Sequence, residues 1–154
     1  MSMPRWTAGL ALLLALAGQP GFADEADADR RVAARPSLTL IIDDLGQNPA
    51  RDRRVLQLPG PVALAILPDT RHAAELAEQA HRAGKTVMLH MPMAPAGGRF
   101  AWHPQLPHDE LARRLDAALA AVPHVRGLNN HMGSAMTEQP QAMTWLMGEL
   151  QRRH

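Results

Sequence analysis

From Ser37 onward, short apolar runs alternate with stretches of helical period, and this alternation more than any other feature limits the folds open to the chain. It predicts consecutive βαβ units and therefore an α/β fold with a parallel sheet. Strands are expected at Leu38–Ile42, Val62–Leu67, Thr86–His90 and Val125–Asn129. Asn48-Pro49 suits the cap and first residue of a short helix to Leu58, because proline's missing N–H costs nothing at that position. A second helix is expected from His72 to Ala83, capped by Thr70, with Ala73, Leu76, Ala77 and Ala80 on one face and Gly84 as its stop. A third should span Asp109–Val122. A fourth should span Gln139–His154, with Met143, Leu146, Met147 and Leu150 on its apolar face. The Pro- and Gly-rich stretch Met91–Pro107 reads as a long loop, of a length that is usually functional or mobile.

With 154 residues, 46% of them apolar, the chain has room for one core. The pattern does not reach the start. Met1–Ala23 has one Arg, an apolar run of about ten residues and a Gly21-Phe22-Ala23 ending, which predicts a secretory signal peptide over 1–23. That run is well short of the roughly 20 residues needed to span a bilayer, so no permanent span is expected after cleavage. Residues 24–36 are acidic, then basic, and lack apolar period, as in a flexible linker. Without the signal, basic and acidic residues balance, and only 3% of residues are aromatic, which argues against nucleic-acid binding. The lack of cysteine excludes thiol nucleophiles, zinc ribbons and disulfide scaffolds. Four parallel strands cannot close a barrel, so residues 37–154 are expected to be the front part of a longer domain, with an unusually small open sheet as the alternative.

Polar clusters fall just past three strand ends: Asp43-Asp44, His90, and Asn129-Asn130-His131. Parallel α/β folds carry their chemistry on that edge. Taken singly, each has a plainer reading as a turn, a helix cap or a hydrogen-bonded side chain. Adjacent carboxylates repel unless a cation or a shared proton relieves them, however, and a metal would bind one and leave the other as a base. One carboxylate with His90 and His131 matches the ligand count of an open catalytic zinc site, and the set also suits Mn, Fe, Co or Ni. The two asparagines are expected to orient the His131 imidazole. His103, on the long loop, is a further candidate for metal or substrate. Phosphate-loop, dinucleotide, HExxH and nucleophile-elbow motifs are absent.

The segments Leu40–Gly46 (LIIDDLG), Val62–Pro68 (VALAILP), Leu89–Met93 (LHMPM) and Gly127–Ser134 (GLNNHMGS) occur in the order, and with the wording, that resembles the divergent polysaccharide deacetylase family, a branch of the NodB-like carbohydrate esterase superfamily. The resemblance implies a NodB-like distorted (β/α) barrel, here incomplete at about four strands, a divalent metal, and removal of N-acetyl or related acyl groups from extracytoplasmic glycans. It assigns Asp43 as base and Asp44 as metal ligand. His90 matches the first of two histidines that the superfamily spaces four apart; Ala94 stands at the second, and His131 is expected to replace it. Later strands bearing a further acid or proton-donating histidine are expected beyond residue 154.

The expected function is accordingly that of a periplasmic, metal-dependent hydrolase of acylated polysaccharide or peptidoglycan-type glycan, with zinc on Asp44, His90 and His131 and Asp43 as base. The alternative is a non-catalytic module that grips a glycan or envelope protein on the same fold. A third expectation, an incomplete gene product with an exposed strand edge, follows from the strand count.

Overall fold

The computed structural model describes residues 38–153; the predicted signal peptide 1–23, the linker 24–36, Ser37 and His154 lie outside them. Strands β1 (Leu40–Leu45), β2 (Val62–Ile66), β3 (Thr86–Met93) and β4 (Val125–Met132) alternate with helices α1 (Pro49–Leu56), α2 (Ala73–Arg82), α3 (His108–Ala121) and α4 (Pro140–Arg153). All strand pairs are parallel and the sheet order is β1-β2-β3-β4. Each βαβ crossover thus advances by one strand in a single direction. Since such crossovers are right-handed, the helices gather on one face of an open sheet, as in an arc of a (β/α) barrel.

The core lies under that helical face. Val62, Leu64 and Ile66 of β2 and Val87, Leu89, Met91 and Met93 of β3 belong to one cluster with Ala73, Leu76, Ala77 and Ala80 of α2 and Leu111, Leu115 and Ala118 of α3. Ala63, Ala65, His90 and Pro92 alternate with the core residues, so strand periodicity turns them to the other face. The outer strand β1 is least covered, with Leu40 49% and Ile41 38% exposed.

The α2 stripe and its Gly84 stop stand as expected: Gly84, at φ +69°, donates to the His81 carbonyl, and Lys85 donates to that of Ala80. The Thr70 cap is corrected. His72 occupies the cap position of α2 without a side-chain bond, and the Thr70 hydroxyl instead donates to the Leu67 carbonyl at 2.9 Å. Met147 of α4 is exposed rather than apolar-facing, and Ala142 and Glu149 take its place, because Glu149 is neutralised by Arg152 and Arg153. The expected long loop is pinned at its start. Trp102 donates to the Pro92 carbonyl (2.9 Å), Ala94 donates to that of Trp102 (2.7 Å), and Phe100, Ala101 and Trp102 are buried.

Glu110, in the first turn of α3, accepts hydrogen bonds from Arg113 and Arg114, while Arg114 also donates to the Ala101 carbonyl at 2.5 Å. Arg114 first, and Arg113 second, hold its carboxyl below the ordinary carboxylate value. A depressed folded-state pKa stabilises above the unfolded value and is lost as pH falls through the folded one. Denaturation of Glu110→Gln should therefore occur at lower denaturant than that of the native chain at neutral pH, with the gap closing in acid. A gap that persists unchanged below pH ~3 would contradict this.

Candidate metal centre

The centre begins with a break in strand periodicity. Successive strand residues point to opposite faces, which would separate the Asp43 and Asp44 carboxylates. The β1–β2 register instead shifts between Ile42 and Leu45, and Asp44 takes a left-handed backbone at φ +58°. This bulge aims both carboxylates at the same end of the sheet. Two side chains of α1 hold it there: Arg51 donates to the Asp44 carbonyl, and the Asp52 carboxylate, only 2% exposed, accepts the Gly46 N–H at 3.1 Å. Helix α1 is started by Asn48, whose side chain accepts from the Ala50 and Arg51 amides.

From the far side of the sheet, β3 and β4 supply the imidazoles. Their register places Asn129 opposite His90 and His131 opposite Pro92, so both histidines and Asn129 share one face, one pleat apart. The Asp44 Oδ1 lies 3.2 Å from His90 Nε2 and 2.9 Å from His131 Nδ1, and the two rings meet edge-on at 5.0 Å. Among the described residues, these three form the one group of acidic or histidine side chains whose ligand atoms all fall within 4.8 Å of each other. A tetrahedral ion with bonds of about 2.0–2.1 Å separates its ligands by about 3.3 Å, close to the two distances that the Asp44 oxygen makes to the imidazoles.

Asp44 and His131 belong to the two outermost strands. A flat sheet would hold β1 and β4 about 14 Å apart, so a 2.9 Å contact between them requires the sheet to curl at this end. Of the two inner strands, β2 permits this by carrying only Ala63 and Ala65 on the inner face.

His90 is 3% exposed, and its Nδ1 lies 2.8 Å from Asn129 Oδ1. The same amide donates from Nδ2 to Asp43 Oδ1 at 2.9 Å. The expected role of the asparagines is corrected here. Neither orients His131: Asn129 serves His90, and Asn130 donates to the Met132 carbonyl at 2.5 Å. His103 is not part of the group. Position 94, four residues after His90, is a buried alanine in the turn after β3. Sequence reading missed Asp52 and the bond between Asn129 and His90. Nothing local marks Asp52 among the arginines of α1, and Asn129 meets His90 only through pairing across 39 positions.

The family described as divergent polysaccharide deacetylase matches residues 40–154, which include every side chain of this centre. The chain belongs to that family. Its relatives include the uncharacterized protein YibQ of Escherichia coli (strain K12), 39% identical over 119 residues, which cover 75% of this chain and 37% of YibQ. An uncharacterized protein of Haemophilus influenzae (strain ATCC 51907 / DSM 11121 / KW20 / Rd) is 34% identical over 125 residues, covering 79% and 45% of the two chains. The chain thus spans less than half the length of these curated relatives. The crystal structure of uncharacterized protein ATU2773 from Agrobacterium tumefaciens C58 superposes with a TM-score of 0.67 at 19% identity, covering 78% of this chain and 55% of the other. That likeness bears on the fold alone. Among the described residues, no helix is long and apolar enough to cross a membrane.

Proposed function

We propose that this family member is a metal-dependent hydrolase that removes N-acetyl or related acyl groups from extracytoplasmic polysaccharide or cell-wall glycan. Asp44, His90 and His131 would hold the cation, zinc being the best match to the donor set, and Asp43 would serve as base. One observation carries the reading. The Asn129 side-chain oxygen accepts from His90 Nδ1, so an imidazole with one ring proton keeps its Nε2 lone pair toward the Asp44 carboxylate at 3.2 Å. Two acceptors face to face repel; a second ring proton or a metal ion between them removes the repulsion, and His131 Nδ1, 2.9 Å from the same Asp44 oxygen, completes a three-ligand set for the ion.

A divalent ion so held polarises a carbonyl and brings a water proton within reach of a carboxylate base near neutral pH. The chain's own groups do the rest. Asp43 is one residue from the ligand Asp44, exposed to solvent, and fixed by Asn129 at Oδ1, which leaves Oδ2 to take a proton. Arg51 and Asp52 keep the two carboxylates from returning to strand alternation. The signal peptide expected over 1–23 would place the activity in the periplasm, where such glycans lie. A second reading, a glycan-binding module without turnover, is favoured by the buried Ala94 at the second motif position.

Asp43→Asn separates the two. Its amide oxygen still accepts from Asn129, so zinc affinity should persist while acetate release from acetylated glycan fragments falls about 10²–10⁴-fold. Glycan binding without acetate release by the zinc-loaded native chain would instead leave the binding module.

A further inference from the structure

We infer that Asn129 is a positioning residue through which Asp43 dictates the nitrogen that His90 presents to the centre. The inference deepens the proposed cation site and rests on that reading. It follows from a count of donors and acceptors. A carboxylate only accepts, so Asp43 requires the amide nitrogen of Asn129 at its Oδ1. That choice leaves the Asn129 oxygen for His90, and an amide oxygen also only accepts. The His90 proton therefore sits on Nδ1, and Nε2 keeps its lone pair toward Asp44. Reversing the amide would set its oxygen against the Asp43 carboxylate and its NH₂ against Nδ1. The ring proton would then move to Nε2 and block the ligand position.

Burial makes the choice binding. At 3% exposure, His90 has almost no access to water as a substitute partner. Asn129 is supplied by β4 in direct register with His90, while Asp43 reaches it from β1, across β2 and β3. Asp43 thus serves the cation site without touching the cation. Losing an outer partner of this kind costs about 10–100-fold in metal affinity.

The test uses the full chain and zinc, with affinity read by competition against a chromophoric chelator and folding by circular dichroism. Asn129→Leu and Asp43→Ala should each weaken zinc binding by about 10–100-fold. Asp43→Asn, which keeps an acceptor for the Asn129 amide, should stay close to the native affinity. In the zinc-free native chain, ¹H–¹⁵N correlation of the imidazoles at about pH 9, where histidine is neutral, should find the His90 proton on Nδ1. In Asp43→Ala it should shift toward Nε2. Native zinc affinity in folded Asn129→Leu, or a native His90 proton on Nε2, overturns the inference. Should Asn129→Leu fail to fold, equal zinc affinities of Asp43→Ala and Asp43→Asn overturn it just as well. A native chain that binds no zinc yet keeps the Nδ1 proton overturns the cation centre and leaves the relay standing. Zinc binding indifferent to all three substitutions overturns the relay and leaves the centre.

Discussion

Asp44→Ala is expected to lower zinc affinity by more than about 100-fold, beyond the loss that follows removal of an outer hydrogen-bond partner. The Asp44 oxygen is the point both imidazoles face, at 3.2 and 2.9 Å, and nothing else among the described residues brings a third ligand atom to them. The companion variant Asp44→Gly separates binding from stability. Asp44 sits at φ +58°, where any residue with a Cβ is disfavoured. Glycine relieves that strain. The Gly variant should therefore be at least as stable as the native chain, by up to about 1 kcal/mol in the zinc-free state, while its zinc binding is lost. Isothermal titration with zinc and urea denaturation read the two effects separately. Zinc binding retained in Asp44→Gly would remove Asp44 from the centre.

Gly46→Ala should be the most damaging small substitution in the β1–α1 connection. Gly46 has φ +101°, and a Cβ built there would lie 2.2 Å from the Thr70 Oγ1 and 3.2 Å from its Cβ. Backbone strain and overpacking contribute about 1–3 kcal/mol each, so the expected loss is about 3 kcal/mol or more. Thr70 cannot simply turn aside, because its hydroxyl donates to the Leu67 carbonyl. The double variant Gly46→Ala/Thr70→Ala should recover the steric part and leave the backbone part, which a double-mutant cycle in urea denaturation resolves. A loss below about 0.5 kcal/mol in Gly46→Ala would contradict the packing described here.

Much of this architecture was legible because it is local. The α2 stripe of Ala73, Leu76, Ala77 and Ala80 and its glycine stop follow from helical period alone, and the order of strands follows from alternation. Strand ends were less legible. β1 starts two residues later than expected and runs through both aspartates to Leu45, and β4 runs to Met132 rather than Asn129. Polar residues look like loop in a single sequence, yet here they remain paired. Leu67 donates to the Leu45 carbonyl, and His131 and Met132 keep register with Pro92 and Met93. The convergence of Asp44, His90 and His131 was readable from their shared position at strand ends. The left-handed turn at Asp44, the buried Asp52 and the relay through Asn129 were not, since each depends on a partner chosen by the fold.

The contact between Asp44 and His131 also bears on how the sheet holds together. Among the described residues, β1 is poorly covered and, as an edge, is bonded to one neighbour only, so it is the element most prone to fray. A cation held between Asp44 and His131 would tie it to the opposite edge and turn four strands in a row into a closed circuit. A ligand that binds only this closed form draws its affinity from the same equilibrium that keeps the strand docked. Fraying and release are then one event: whatever competes for Asp44 loosens β1, and whatever peels β1 away dismantles the centre.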